Sequence, residues 1–456
     1  MKLIETALPS FGPAPASPPT HTAAEYETRL QATRQAMARR DLTHLIVYGD
    51  REHSANLAWL TGFDPRFEES VLIVGLHGTP LILVGTECEA YLRISPPFVE
   101  GHLRSERFEP FSLLGIARDQ SRQLDEIFRG EGLDETSRVG CAGWKYFALS
   151  EHPLGERALE VPAFLADTLR AITPHVSNGT MLFQHPATGL RTFCSAAEIA
   201  TFEYSNIAAS NGMRKLIGAI QPGMTDFELA EHMGFNGLRH SCHWTVKTGP
   251  NRISLASPSG NIVQHGQPLS ANIGLIGANC CRCAFVATDA RQAPPGYVEH
   301  FVGPYVAAMG EWFSLLRIGA VAGVIEARVR ALLAGPPFHL KLNPGHLIHL
   351  EEWMSTPFYP GSDIELHSGM AIQADVIPSH PVFVSTRMED TFVLADAPLR
   401  RQLAESYPDC LARCTARRDF MRSVLGFELA DDVLPLSNLP GVLSPYLLAP
   451  EYVMAL

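Results

Sequence analysis

Three of the nine cysteines in this chain stand within the stretch Ala278–Asn279–Cys280–Cys281–Arg282–Cys283–Ala284–Phe285. Thiols packed this closely can form a metal knot, a redox pair or a nucleophile, or can simply fill space. Cys280 and Cys283 make a C-x-x-C spacing, but redox pairs of that kind sit at a helix N-terminus, where the thiolate is stabilised. The flanking residues here read as a strand. A structural zinc knot needs two further ligands at suitable spacing, and none is adjacent in the sequence. Side chains alternate along a strand, so Cys281 and Cys283 share one face and Cys280 takes the other. Elsewhere, Cys88, Cys141 and Cys194 read as small buried hydrophobes, and Cys410 and Cys414, four apart, as ordinary helix positions.

The elements that must position these groups alternate along the chain. Residues 24–43 have helical charge spacing and precede a strand-like run, HLIVYGD. The stretch SVLIVGLHGTPLILVG reads as two strands joined at HGTP, and SRQLDEIFRG as a helix, an alternation that predicts an α/β first domain. Ser195 with Glu198 three residues on has capping-box spacing and starts a helix. Thr225–Asp226 starts another, written DFELAEHMGFNGLRH. TVKTGPN, IVQHGQPLSANIGLI and CCRCAFVATD then read as strands, followed by a helical middle and further strands to DTFVLAD. No repeat of fixed period is present.

Composition narrows the class. A formal net charge of −12 argues against a nucleic-acid partner, which would require a dominant basic surface. No run approaches the ~18 apolar residues of a membrane span. The N-terminus, MKLIETALPSFGPAPASPPTHTAAE, lacks a continuous apolar core and reads as a loose lead-in over residues 1–24. With an odd number of cysteines and no secretion signal, a reducing, cytoplasmic setting is expected.

Four segments of the second half follow one another in a distinctive order. They are Ala271–Asn272–Ile273–Gly274, Gly345–His346–Leu347–Ile348–His349–Leu350–Glu351, Gly369–Met370–Ala371–Ile372–Gln373–Ala374–Asp375 and Arg387–Met388–Glu389–Asp390–Thr391. In order and spacing they resemble the creatinase/aminopeptidase P/prolidase family, whose catalytic domain is the pita-bread fold. The stretch YGDREHSANLAWLTGFDPRFEES resembles the amino-terminal domain of creatinase-type members. The resemblance implies an α/β (α+β) protein, with a creatinase-type α/β domain over 25–190 and a pita-bread catalytic domain over 191–456. A C-terminal extension from about residue 400 is not accounted for.

In the metal-dependent members two aspartates, a histidine and two glutamates hold a pair of metal ions. By the resemblance those five positions read Asn272, Cys283, His346, Asp375 and Glu389. A neutral amide at 272 removes the carboxylate that would bridge two ions, so a dinuclear hydrolytic centre is not expected. A single divalent ion such as zinc or iron on Cys283, His346, Asp375 and Glu389 stays open as an alternative. The expectation is metal-free, with no cofactor, because creatinase carries Asn at the first position and works without metal. The familiar proton carriers of the family are also replaced. The creatinase-type segment is matched by Thr248–Gly249–Pro250–Asn251 and its histidine by Ala256, while a second histidine position reads Trp353. Hydrolysis of creatine or X-Pro peptides is therefore not expected.

The catalytic set implied is His346, Asp375 and Glu389, an imidazole among carboxylates able to work as acid and base. Cys283 stands beside them, as a thiol activated by His346 or as a filler of the place an aspartate vacated. Asn272, Arg387, His349 and Glu351 are placed with substrate binding. Arg387 would anchor a substrate carboxylate through its fork of donors, and His349 is either a substitute proton carrier or a core imidazole. Family members are homodimers, and by resemblance Phe63 and Arg66 would reach a partner's pocket; an ordinary strand-to-turn segment is the other reading. The function expected is a metal-independent hydrolase or lyase acting on a C–N bond of a small polar substrate. The alternatives are a mononuclear metal hydrolase or peptidase, and an inactive pita-bread protein that binds a peptide or metabolite.

Overall fold

The computed structural model describes residues 1–115, 117–249, 255–335, 338–340 and 342–456. Pro250 and Asn251, part of the creatinase-type segment, lie outside the described residues. The chain divides into two compact units, residues 20–191 and residues 1–19 with 192–456.

The unit of residues 20–191 is built on a six-stranded mixed sheet. Its centre is His44–Gly49, antiparallel to Ser70–Gly75 and parallel to Val139–Ala142. Ser70–Gly75 continues into Leu81–Val84 as the expected hairpin. The helix Ala23–Arg39 begins at a capping box in which Thr22 and Glu25 satisfy each other's backbone N–H groups. Alternate strand residues such as Ile46, Val71, Ile73 and Leu83 pack under Ile127, Phe128, Leu165 and Leu169 from the covering helices.

The second unit carries two antiparallel four-stranded sheets. One runs Arg387–Glu389, Ala278–Phe285, Pro268–Leu275, Thr245–Thr248; the other runs His346–Leu347, Ala371–Gln373, Thr391–Leu394, Val433–Pro435. The chain passes from the first sheet to the second at Asp390, which stands between Glu389 and Thr391. The capping box at Ser195 and Glu198 starts a 24-residue helix, Ala196–Ala219, which packs on the hairpin. The helix expected from Asp226 is shorter than the sequence suggests. It gives way to a 3-10 turn at Glu231–Met233 and stops at Gly234, which takes a left-handed φ of 75° that ends a helix readily.

Residues expected to be loose are woven into this unit. Lys2–Glu5 pairs antiparallel with Tyr452–Ala455, joining the two ends of the chain. Phe11 meets Phe420 edge-on and the Pro13 carbonyl accepts from Arg413. The C-terminal extension likewise contributes a strand, Val433–Pro435, to the second sheet. Such pairings join residues too distant in sequence for any local pattern to announce.

Candidate functional site

The site is built on a tight hairpin. Pro268–Leu275 and Ala278–Phe285 are joined by Ile276–Gly277 alone. Gly277 has φ 66°, and a Cβ there would lie 2.0 Å from the Phe202 ring, so the close approach of the long helix requires glycine. This short turn fixes the register. Cys281 lies opposite Asn272 on one side and Glu389 on the other, and Thr245 lies opposite Asn272. Thr245, Asn272, Cys281 and Glu389 thus form one row across four strands, with side chains on the same face.

Motif spacing placed Cys283 in that row, and the register places Cys281 there instead. Cys283 is opposite Ser270 and Arg387, is 1% exposed, and donates its thiol to the Ser385 carbonyl at 3.4 Å. It does not join the groups that converge on His346. Among the described residues, the ligand-type atoms that come together are those of His346, Glu352 and Glu389, all within 4.8 Å of one another.

Asn279 holds this cluster together. Its Nδ2 donates to Glu352 Oε1 at 2.5 Å and Glu389 Oε1 at 2.8 Å, and its Oδ1 accepts from Asn272 Nδ2 at 3.2 Å. Asn272 Oδ1 in turn accepts from the backbone N–H and hydroxyl of Thr245. Both ends of the Asn272 amide are engaged and it is 4% exposed, so it positions Asn279 and does not meet substrate. Gln373 adds a second donor to Glu389 Oε1 at 3.3 Å while accepting from Thr391.

Burial raises the pKa of Glu389 well above the ordinary carboxylate range, with the charges of Asp375 and Glu352 adding to it against Arg387 and Asn279. Glu352 is raised too, again chiefly by burial, with His346 opposing. Two carboxyl groups sharing one amide donor in a dry site hold protons that exposed carboxylates would lose. Cys242, which contacts Glu352 and accepts from Asn272 Nδ2 at 3.4 Å, is likewise held protonated by burial. Burial also pushes the Cys281 thiol up to about 12.

His346 Nδ1 lies 3.1 Å from the Leu347 carbonyl, which can only accept, so Nδ1 carries the proton. That leaves Nε2 facing away from the backbone; it has no hydrogen-bond partner and lies 3.9 Å from Asp375 Oδ2. His346 and Asp375 line a cavity of about 430 Å³, with Trp353, Ser355 and Thr356 among the other walls. Glu352, Glu389 and Asn279 are not on that wall and form the layer behind it.

The remaining expectations divide. Arg387 is 7% exposed, does not line the cavity, and directs Nη1 to Cys281 Sγ at 3.3 Å, 3.9 Å from Glu389 Oε2. It serves as a fixed counter-charge to the carboxylates, not as an anchor facing substrate. His349 is 1% exposed, 3.3 Å from Glu198 and edge-on to Phe202 at 5.0 Å, which makes it a core imidazole tying its loop to the long helix. Glu351 is only partly buried; its neighbour Glu352 is the carboxylate that enters the site. Phe63 is fully buried against Tyr91 within the unit of residues 20–191, so it cannot project into a partner. Arg66 is half exposed, with its guanidinium 4.7 Å over the Tyr91 ring. Asn279, Glu352, Cys242 and Gln373 escaped sequence reading, although Asn279 lies inside the cysteine stretch itself.

No protein-family model and no curated protein matches the chain. Solved structures do. The prolidase of Thermococcus sibiricus aligns with a TM-score of 0.63 at 15% identity, over 90% of this chain and 96% of that one. Dipeptidase PepE from Mycobacterium ulcerans gives 0.61 at 20% identity, over 82% and 94%. The N-terminal domain of FACT complex subunit SPT16 from chickpea gives 0.60 at 14% identity, over 82% and 95%. The architecture is therefore the creatinase/aminopeptidase P/prolidase-like pita-bread fold. At these identities the likeness is one of fold.

Proposed function

We propose that the chain is a hydrolase acting on a C–N bond of a small polar substrate, working through His346 and the Glu352–Glu389 pair without a metal ion. The observation that carries this reading is the pairing of an unpartnered His346 Nε2 on the cavity wall with the Glu352 and Glu389 carboxyl groups directly behind it, both pushed above the ordinary carboxylate range chiefly by burial. An imidazole can take and return a proton, the two transfers that hydrolysis of a C–N bond requires. His346 Nε2 takes a proton from water as the C–O bond forms and gives it to the nitrogen as the C–N bond breaks. Glu352 and Glu389, behind the wall and within 4.8 Å of the ring, offset the positive charge it carries between those transfers, and Arg387 limits their mutual repulsion. The prolidases and dipeptidases of the same fold support hydrolysis in general, not this substrate class.

One observation favours a second reading. Glu352, Glu389 and Asp375 set three carboxylates against the single guanidinium of Arg387, a deficit that one divalent ion would balance. His346, Glu352 and Glu389 fit such an ion; two ions do not fit, because Asn272 offers no charge and the Cys283 thiol is turned to the Ser385 carbonyl. When bound, the ion would lower the pKa of a water molecule. Elemental analysis of protein purified without chelator separates the readings. The metal-free reading expects well under one ion per chain and turnover that survives chelation. In a panel of amide, amidine and guanidino compounds, His346→Ala should lose at least about a hundredfold in kcat, the scale of a general base; unchanged turnover would reject this site.

A further inference from the structure

A second cavity, of about 120 Å³, lies in the unit of residues 1–19 and 192–456 and shares no lining residue with the one beside His346. It is bounded by the long helix Ala196–Ala219, the strand Ala278–Phe285 and the C-terminal extension. Ile217, Leu439, Val442, Leu443 and Leu447 make most of its surface apolar. The last four are buried, whereas Arg214 and Ile217 are partly exposed and Gly218 is exposed, so the cavity opens along the helix. Two arginines stand on this apolar wall, and among the described residues that line it there is no Asp or Glu. Arg214 has no ion-pair or side-chain hydrogen-bond partner among the described residues, and its charge is permanent. Arg282 is 4% exposed; its Nη1 and Nη2 are engaged, but its Nε has no partner. Its charge is matched by Asp390, so Arg282 contributes a donor while Arg214 contributes net charge. A buried donor left unpaired is costly to maintain, and a ligand oxygen relieves that deficit.

We propose that this cavity binds a small apolar carboxylate, a monoanion whose hydrocarbon body lies among the leucines while Arg214 meets its charge. An aliphatic-lined cavity of about 150 Å³ holds a benzene ring, so the space here suits a body of about six carbons. A carboxylate has two acceptor oxygens, enough for both arginine side chains. A neutral body of the same size leaves Arg214 unpaired, and a cationic one is repelled by it. An inorganic anion would meet Arg214 without using the apolar wall. Arg282 and Ala284 stand on the face of their strand opposite the row of Asn272, Cys281 and Glu389. The ligand therefore lies behind the strand, away from His346, and the proposal stands or falls apart from the hydrolase reading.

Hexanoate, hexanamide, hexylammonium and acetate separate the two requirements. In titration calorimetry of the full-length protein, hexanoate should bind at least about tenfold tighter than acetate, which shares its charge without its body. It should also bind at least about fivefold tighter than hexanamide, with hexylammonium weakest. Arg214→Gln removes the charge from a side chain without a partner, so the fold is kept and hexanoate should fall to the level of hexanamide. A Cβ at Gly218 would meet no atom within 4 Å, so Gly218→Leu is accommodated on the helix. It places a side chain at the opening and should weaken hexanoate at least about tenfold. Equal affinity for hexanoate and hexanamide, no gain over acetate, no measurable hexanoate binding, or affinity unchanged in either variant would overturn the proposal. If a variant fails to fold, the ranking of the four probes on the wild-type chain decides alone. His346→Ala should leave hexanoate affinity unchanged; a loss there would place the ligand in the other cavity and overturn the proposal as well. Absence of turnover would reject the hydrolase reading and leave the carboxylate site standing.

Discussion

The strand Ala278–Phe285 carries buried ionic chemistry on both faces, and the two faces resolve it differently. On one, Arg282 meets Asp390 at 2.7 Å and also donates to the carbonyls of Cys281, Glu389 and Leu439, while Asp390 accepts from Gly441 N–H. Charge is matched one to one and the pair is surrounded by backbone partners. On the other, Asn279 and Cys281 face Glu352, Glu389 and Arg387, where carboxyl groups exceed cations and crowd one another. Both clusters are almost fully enclosed, so burial alone does not separate structure from function. Charge balance does: on one face each charge has its partner, while on the other burial and neighbouring carboxyl groups hold Glu352 and Glu389 above the ordinary carboxylate range.

The largest effect follows from breaking the compensated face. Arg282→Met leaves Asp390 buried without its cation and should cost about 3–5 kcal/mol, read by urea denaturation. Glu389→Gln on the opposite face removes a carboxyl group that burial and its neighbours disfavour. It should leave stability equal or higher while abolishing turnover. Comparable destabilisation by both substitutions would erase the distinction drawn between the faces.

A pH series sharpens the same contrast. The folded chain holds the Glu389 proton well above the ordinary 4.5 of the free carboxyl, so between those values it binds more protons than the unfolded chain. The stability this contributes is fully present below about 4.5 and is lost as pH rises towards the folded value. Wild type should therefore lose stability relative to Glu389→Gln above pH 4.5, with a limiting slope of about 1.4 kcal/mol per pH unit. A difference that stays flat from pH 4 to pH 8 would show that the folded and unfolded chains bind the Glu389 proton equally.

The sequence made His346 and Glu389 legible because each lies in a motif whose internal spacing survives, and it made the fold legible through capping boxes and strand alternation. It could not show which residues share the site. The two-residue turn at Ile276–Gly277 pairs Asn272 with Cys281, two positions from the Cys283 reached by motif counting. A change of one position also separates a buried group of the site from a partly exposed one, as Glu352 and Glu351 show. Asn279 was hidden for another reason. An amide has no distinctive spacing, and its importance lies in two carboxylates contributed from positions 73 and 110 residues away.

The smallest expected effect concerns the thiol that first draws attention. Cys283 lies on the uncompensated face by alternation, yet its thiol is satisfied by the Ser385 carbonyl, so it should behave like a residue of the compensated one. Cys283→Ala removes one small group and one weak hydrogen bond from a packed strand, which predicts a loss of about 1 kcal/mol. Turnover should remain within about twofold, since the thiol does not line the cavity with His346. Cys242→Ala offers the contrast, because that thiol contacts Glu352, and a shift in the acid limb of the turnover profile is expected there alone. If Cys283→Ala abolishes turnover while the protein stays folded, the thiol acts on substrate, and the division between the two faces of the strand fails at that position.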